Sequence, residues 1–189
     1  MRKILLFLSL VLVLGAFNLA ALQKEPLLEE GTVMYLELAP VDPRAFLLGD
    51  YMALEFSIDR DVTDALREAA KELTQTEGDG YSYYEYRRLR RFMPREGLVV
   101  VSLSPDGVAS FERLDDGSPL AGGEHHLYFR LKNGNAEVAA RSFFFQEGHA
   151  EDYEAADYGE IHVAPDGRNL LTHLLDRDLK RIVPGERED

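Results

Sequence analysis

Cysteine is absent from the 189 residues, which excludes disulfide staples, lipoprotein modification at a cysteine, thiolate catalysis and cysteine-ligated zinc. The fold must be held by its apolar core, and about 150 residues suffice for that. Catalytic signatures are missing too: there is no Gly-x-Ser-x-Gly elbow, no Ser-x-x-Lys and no glycine-rich phosphate loop. Lysine is scarce, with four besides Lys3 to serve as a base. His125, His126, His149, His162 and His173 show no paired metal spacing, and adjacent His125 and His126 would face opposite sides of a strand. The acidic run Glu147 to Glu160 lacks the Asp-x-Asp-x-Asp-Gly order of a calcium loop and reads as a solvated loop or short helix. No catalytic residue, metal ligand or cofactor is read from the chain. Carboxylates are abundant enough that a glycosidase pair is allowed by residue type, but abundance singles out none.

Positive charge is the second shortage. Against 34 Asp+Glu stand 21 Lys+Arg, a net charge of −13 that argues against nucleic acid as a partner. The one long apolar run, Ile4 to Leu22, has only Ser9 and Asn18 as polar members. Its 19 residues, at about 1.5 Å each, span roughly the 30 Å of a bilayer's hydrocarbon core. A cleaved signal has a shorter apolar region and needs small residues at alternate positions before the cut, and residues 15–22 offer no clean pair. Length therefore favours an uncleaved anchor over a signal peptide or a buried core helix. Arg2 and Lys3 before it keep the N-terminus in the cytoplasm and send residues 23–189, with 19 basic and 34 acidic groups, into the periplasm or exterior.

Beyond the anchor (1–22) and a short linker (23–30), Thr32 to Leu38 is β-rich, and two prolines in Ala39 to Arg44 stop regular pairing. Tyr51 to Ile58 alternates as a half-buried strand, with Met52, Leu54, Phe56 and Ile58 on one face. From Asp61 to Thr76 the period changes: Val62, Ala65, Leu66, Ala69, Ala70 and Leu73 predict a helix capped by Asp61 or Thr63. Two Pro-Asp-Gly turns, at Pro105 and Pro165, each predict a hairpin, and Asn133-Gly134 predicts a third between His125–Leu131 and Ala136–Phe145. Asp176 to Asp189 is mostly charged and predicts a frayed tail. The fold class is α+β: a transmembrane helix, then a β-rich, mainly antiparallel domain over 31–175 with one substantial helix.

Gly49-Asp50-Tyr51-Met52-Ala53-Leu54-Glu55-Phe56, preceded by Pro40-Val41-Asp42-Pro43-Arg44, resembles the signature of the GDYXXLXY family. The motif residues are Gly49, Asp50, Tyr51, Leu54 and Phe56, the last keeping the ring of the pattern's tyrosine and dropping its hydroxyl. Phe143-Phe144-Phe145-Gln146-Glu147-Gly148 is similar to the family's aromatic–Glu–Gly segment, and the second Pro-Asp-Gly hairpin extends the resemblance over most of 31–175. What the resemblance implies is a membrane-anchored bacterial protein with an outward domain, often accompanying multi-spanning membrane proteins, and no reaction.

Two constellations remain. Around the motif, Asp50 could cap the Asp42–Arg44 turn while Tyr51 packs, or Arg44, Asp50 and Tyr51 could form a recognition edge. The segment 82–95 holds five arginines and one glutamate, a +4 island rich in tyrosine, with Tyr84, Arg87, Arg88 and Arg91 as its candidate binding residues. It fits a partner surface, an intramolecular counterpart to Glu147–Glu160, or a lipid-facing patch. The function expected is a non-enzymatic interaction module bound to the membrane through its N-terminal helix and contacting an integral membrane protein. An envelope hydrolase using carboxylates, or a ligand-binding sensor, are the alternatives.

Overall fold

The computed structural model describes residues 7, 9–15, 25–39, 51–74 and 90–185. After a short helix α1 (Glu25–Glu30) come β1 (Thr32–Glu37), β2 (Tyr51–Ala53), α2 (Ser57–Thr74), β3 (Glu96–Leu103), β4 (Ala109–Leu114), β5 (Glu124–Lys132), β6 (Asn135–Glu137), β7 (Ser142–Phe144), a 3-10 turn (Ala150–Tyr153), β8 (Tyr158–Val163) and β9 (Asn169–Leu175). The strands form antiparallel sheets ordered β4-β3-β5-β6, β1-β8-β9 and β2-β7, an α+β arrangement rich in β-structure. Among the described residues no helix is long and apolar enough to cross a membrane. Residues 9–15 are helical and exposed, and the rest of the Ile4–Leu22 run, expected to be an anchor, lies largely outside the described residues.

The alternation over residues 51–58 reads the buried face correctly, since Met52, Leu54, Phe56 and Ile58 are all buried. It overstates the strand. Only Tyr51–Ala53 pair as β2; the Leu54 N–H then donates to the Arg141 carbonyl (2.9 Å), and Phe56 bridges Leu38 on the other side. The chain thus stays extended while changing partners, and α2 begins at Ser57, a turn before the predicted Asp61. Asp61 and Thr63 are therefore inside the helix, not caps. The Thr63 hydroxyl donates to the Asp59 carbonyl (2.6 Å) and accepts from the Ala136 N–H (2.8 Å). Val62, Leu66 and Ala70 face the core as their spacing predicts, and α2 packs across β4 and β6; Leu73, in the last described turn, is 73% exposed.

Both Pro-Asp-Gly turns form, with Gly107 and Gly167 at φ +85° and +83°. Each turn also stitches one sheet to the other. The Gly107 carbonyl accepts from Tyr35 N–H of β1 (3.0 Å), and the Gly167 carbonyl accepts from Tyr128 N–H of β5 (2.9 Å). A Cβ at position 167 would lie 3.1 Å from that Tyr128 nitrogen, so the approach needs glycine twice over. The third hairpin forms at Asn133-Gly134, but the predicted strand Ala136–Phe145 is broken into β6 and β7, which belong to different sheets. The break is where Val138 N–H leaves the ladder for the Asp59 carboxylate.

Two acidic expectations are corrected. Glu160 is not solvated: it is 1% exposed, on the outward side of β8, and takes hydrogen bonds from Arg181 (2.8 and 3.0 Å), Thr172 (2.8 Å) and the His173 ring (3.0 Å). The tail does not fray over 176–185. The Asp176 carboxylate accepts Asp178 and Lys180 N–H groups, turning the chain so that Arg181 bridges Leu175 and reaches Glu160. Residues 186–189 lie outside the described residues. Burial alone would raise the Glu160 carboxyl, but the bonds from Arg181, Thr172 and His173 outweigh it and hold the group at about 2.

A depressed carboxylate stabilises the fold above its unfolded pKa and loses that contribution as pH falls through the folded value. Chemical denaturation across pH should therefore show Arg181→Ala less stable than the parent at pH 7 by on the order of 3 kcal/mol, with the gap closing between about pH 4.5 and 2. A pH-independent gap would refute this account. At the motif, a Cβ on Gly159 would lie 2.9 Å from both Phe56 Cε1 and Leu171 Cδ1. Gly159→Ala should cost about 1–3 kcal/mol in urea melts, and less in a Phe56→Leu background, as a double-mutant cycle would read.

Candidate interaction surface

The two segments that resemble the family are neighbours in space. β2 pairs antiparallel with β7 in the register Tyr51–Phe144, Met52–Phe143 and Ala53–Ser142. Because successive side chains in a strand alternate, three phenylalanines in a row cannot share a face. Phe143 and Phe145 turn inward and pack on buried Tyr153, with ring centroids 5.3 Å and 5.2 Å from it. Phe144 turns outward, 74% exposed, with its ring 5.7 Å from that of Tyr51 at 41°. The result is a two-stranded ribbon with an inner aromatic cluster and an outer aromatic pair.

At the base of the ribbon lies a cleft of about 370 Å³ beside the first turns of α2, lined by Glu55, Asp59, Arg60, Arg67, Asn135 and Arg141 among others. Arg141, one residue before β7, organises it. Its guanidinium donates to Glu55 (3.2 Å) and to Asp59 (3.1 Å), and its Nε lies 3.6 Å from Glu137. Asp59 is buried, and its other oxygen accepts the Val138 N–H (2.9 Å). Desolvation raises its carboxyl, opposed by the bonds from Val138 and Arg141. A raised carboxylate in a cleft is the mark of a general acid. Here, however, each oxygen accepts a hydrogen bond from a group that holds the β6–β7 connection on α2. Among the described residues no group of three or more His, Asp or Glu side chains is placed to hold a metal ion.

Of the residues singled out from sequence, Tyr51 is on the ribbon, while Leu54 and Phe56 are core side chains beneath it. Arg91 is exposed in the turn before β3. Arg44, Gly49, Asp50, Tyr84, Arg87 and Arg88 lie outside the described residues. Sequence reasoning missed Phe144 as the outward member of its triplet, although the alternation rule was enough to find it. It also missed Asp59 and Arg141, which are 82 residues apart in the chain and carry no local signal.

A family model described as GDYXXLXY protein matches residues 13–174, most of the chain. The chain belongs to the GDYXXLXY family. No curated protein and no solved structure matches it. In this member of the GDYXXLXY family, the motif therefore divides its labour: Leu54 and Phe56 anchor the segment in the core, and Tyr51 is half-buried beside Phe144.

Exposure and pairing give opposite expectations for two neighbouring variants. Arg141→Ala leaves the buried Asp59 without its cation and should cost roughly 2–4 kcal/mol. Phe144→Ser, by contrast, should stay within about 0.5 kcal/mol of the parent. Urea denaturation of both checks the pair, and a large loss from Phe144→Ser would mean that the ring is a packing residue after all.

Proposed function

We propose that the protein is a single-pass, N-terminally anchored protein whose domain lies outside the cytoplasmic membrane, in the periplasm or exterior, and works by contact with an integral membrane protein. The observation that carries the contact reading is the ribbon: Phe144, 74% exposed, stands outward beside the half-buried ring of Tyr51 on a paired strand, without being needed for the core. The anchor is supported by the apolar run Ile4–Leu22 behind Arg2 and Lys3, and by the exposure of Leu10, Val11, Leu12, Val13 and Leu14, side chains that water does not favour. The hydrolase reading draws on the cleft at Asp59, but a carboxylate with both oxygens bonded to structural partners is a poor proton donor to anything else.

Photo-crosslinking amino acids at positions 51 and 144 of the membrane-embedded chain should each capture the same integral membrane protein, and one at exposed Ser110 should not. Equal capture from all three positions, or none from any, overturns the reading. An alkaline phosphatase fused after Asp189 should be active, since that enzyme works only outside the cytoplasm, and an inactive fusion of normal abundance would overturn the topology.

A further inference from the structure

We infer that residues 176–185 form a strap along β9 whose two latches are shared with histidines, so that the strap loosens when those histidines are protonated in mild acid. The first latch is on β8. Glu160 Oε2 accepts Arg181 Nε (2.8 Å), while Oε1 accepts Arg181 Nη2 (3.0 Å), the Thr172 hydroxyl (2.8 Å) and His173 Nδ1 (3.0 Å), with His162 Nε2 at 3.5 Å. The second latch is in the 3-10 turn, where one oxygen of Asp152, Oδ2, takes both the Gly185 N–H (3.1 Å) and the His149 ring (2.8 Å). Between the latches the Ile182 N–H donates to the Leu174 carbonyl (2.9 Å) and Arg181 bridges Leu175, so the strap lies on β9, the outer strand of its sheet. Histidine is the side chain whose charge changes in the range of about pH 5 to 8, and it stands at both points that hold the strap.

The direction follows from counting charges. With neutral imidazoles, Glu160 balances one guanidinium. Of the elements packed against it, β1 brings Tyr35, in register with Glu160, and exposed Glu37; β8 itself brings Tyr158 and His162; α1 brings exposed Glu30. The strap adds Arg177, Asp178 and Lys180, all exposed, and Asp176, whose carboxylate is taken by the strap's own N–H groups. Protonating His173, which is 43% exposed, puts a second full cation on the oxygen that Arg181 Nη2 uses, and one carboxylate cannot neutralise both. His173 is fixed in β9, whereas Arg181 is 53% exposed and can leave for water. A second proton on His162 would add to the excess and fall on Nδ1, which is buried and has no partner among the described residues. At Asp152, a charged His149 makes the stronger, charge-assisted bond to the oxygen that Gly185 shares, which weakens that latch in the same direction. Buried Tyr153 and exposed Glu151 and Glu154 flank this second site, and the side of β7 packed on it brings the rings of Phe143 and Phe145.

The test is hydrogen–deuterium exchange read by mass spectrometry on the full chain in phosphatidylcholine nanodiscs, with rates corrected for the intrinsic pH dependence of amide exchange. Peptides from the strap should lose about tenfold in protection between roughly pH 7.5 and 5.5, while those from β3 and β5 keep theirs. His149→Asn with His173→Asn places an amide donor at the reach of each Nδ1 and cannot charge, so its strap should keep its protection down to about pH 5.5. Arg181→Gln should leave the strap poorly protected across the same range. A second readout needs no histidine variant. Protonation of Glu160 alone closes the stability gap between the parent and Arg181→Ala below about pH 4.5, and the latch adds an earlier narrowing, about 1.4 kcal/mol for a tenfold change, above about pH 5.5. Protection in the parent that does not change with pH overturns the inference. So does an equal loss in the double asparagine variant, or a stability gap that holds constant down to about pH 4.5.

Discussion

The position of the ribbon depends on one buried carboxylate. Asp59 sits in the first turn of α2, where the helix dipole favours negative charge, but burial would make an unpaired carboxylate there very costly. Its partners, the Val138 N–H and the Arg141 guanidinium, both come from the connection between β6 and β7. Satisfying Asp59 therefore forces that connection off the edge of the four-stranded sheet and onto the helix. With Arg141 drawn in, its carbonyl meets the Leu54 N–H, and β7 pairs with β2. The helix start, the break in the strand and the aromatic ribbon are consequences of the same charge.

The two larger sheets are held to each other by a different device. Each contributes a Pro-Asp-Gly hairpin whose glycine carbonyl accepts an N–H from a strand of the other sheet, Tyr35 in one direction and Tyr128 in the other. Turns are usually where a fold is loosest, and here both are cross-links. Glu160 and Arg181 extend the same logic to the C-terminal segment, closing residues 176–185 back over β8 and β9. The two sheets and the C-terminal segment are thereby tied together by hydrogen bonds between elements distant in the chain.

Local chemistry was legible and long-range charge pairing was not. The Pro-Asp-Gly and Asn-Gly turns, the buried side of residues 51–58 and the Val62–Leu66–Ala70 stripe follow from rules that act within a few residues, and the structure follows them. Leu73 fits the same stripe but is 73% exposed, so periodicity alone misplaces it. The acidic run around Glu160 predicts a solvated side chain, because its partner Arg181 lies 21 residues further along the chain. The tail looked frayed for the mirror-image reason: its charges have partners, but distant ones. At the candidate site, Tyr51 could be singled out from the motif, whereas Phe144 required applying strand alternation to an aromatic run whose strand boundaries were misjudged.

The stretch from Ser142 to Gly167 puts these threads together. A chain that needed its acidic residues only for solubility would spread them around the surface among compensating cations. This one removes lysine and arginine from 26 consecutive residues and then returns them selectively from outside the stretch. Arg181 and Arg168 are brought to Glu160 and Asp166, where the charge is buried or lies at a hairpin turn. Nothing among the described residues is brought to Glu147, Glu154 or Asp157, the exposed groups on the segment that carries Phe144. Compensation follows structural need, and at the ribbon the fold has no such need: the rings of Phe143, Phe145 and Tyr153 already secure it from behind.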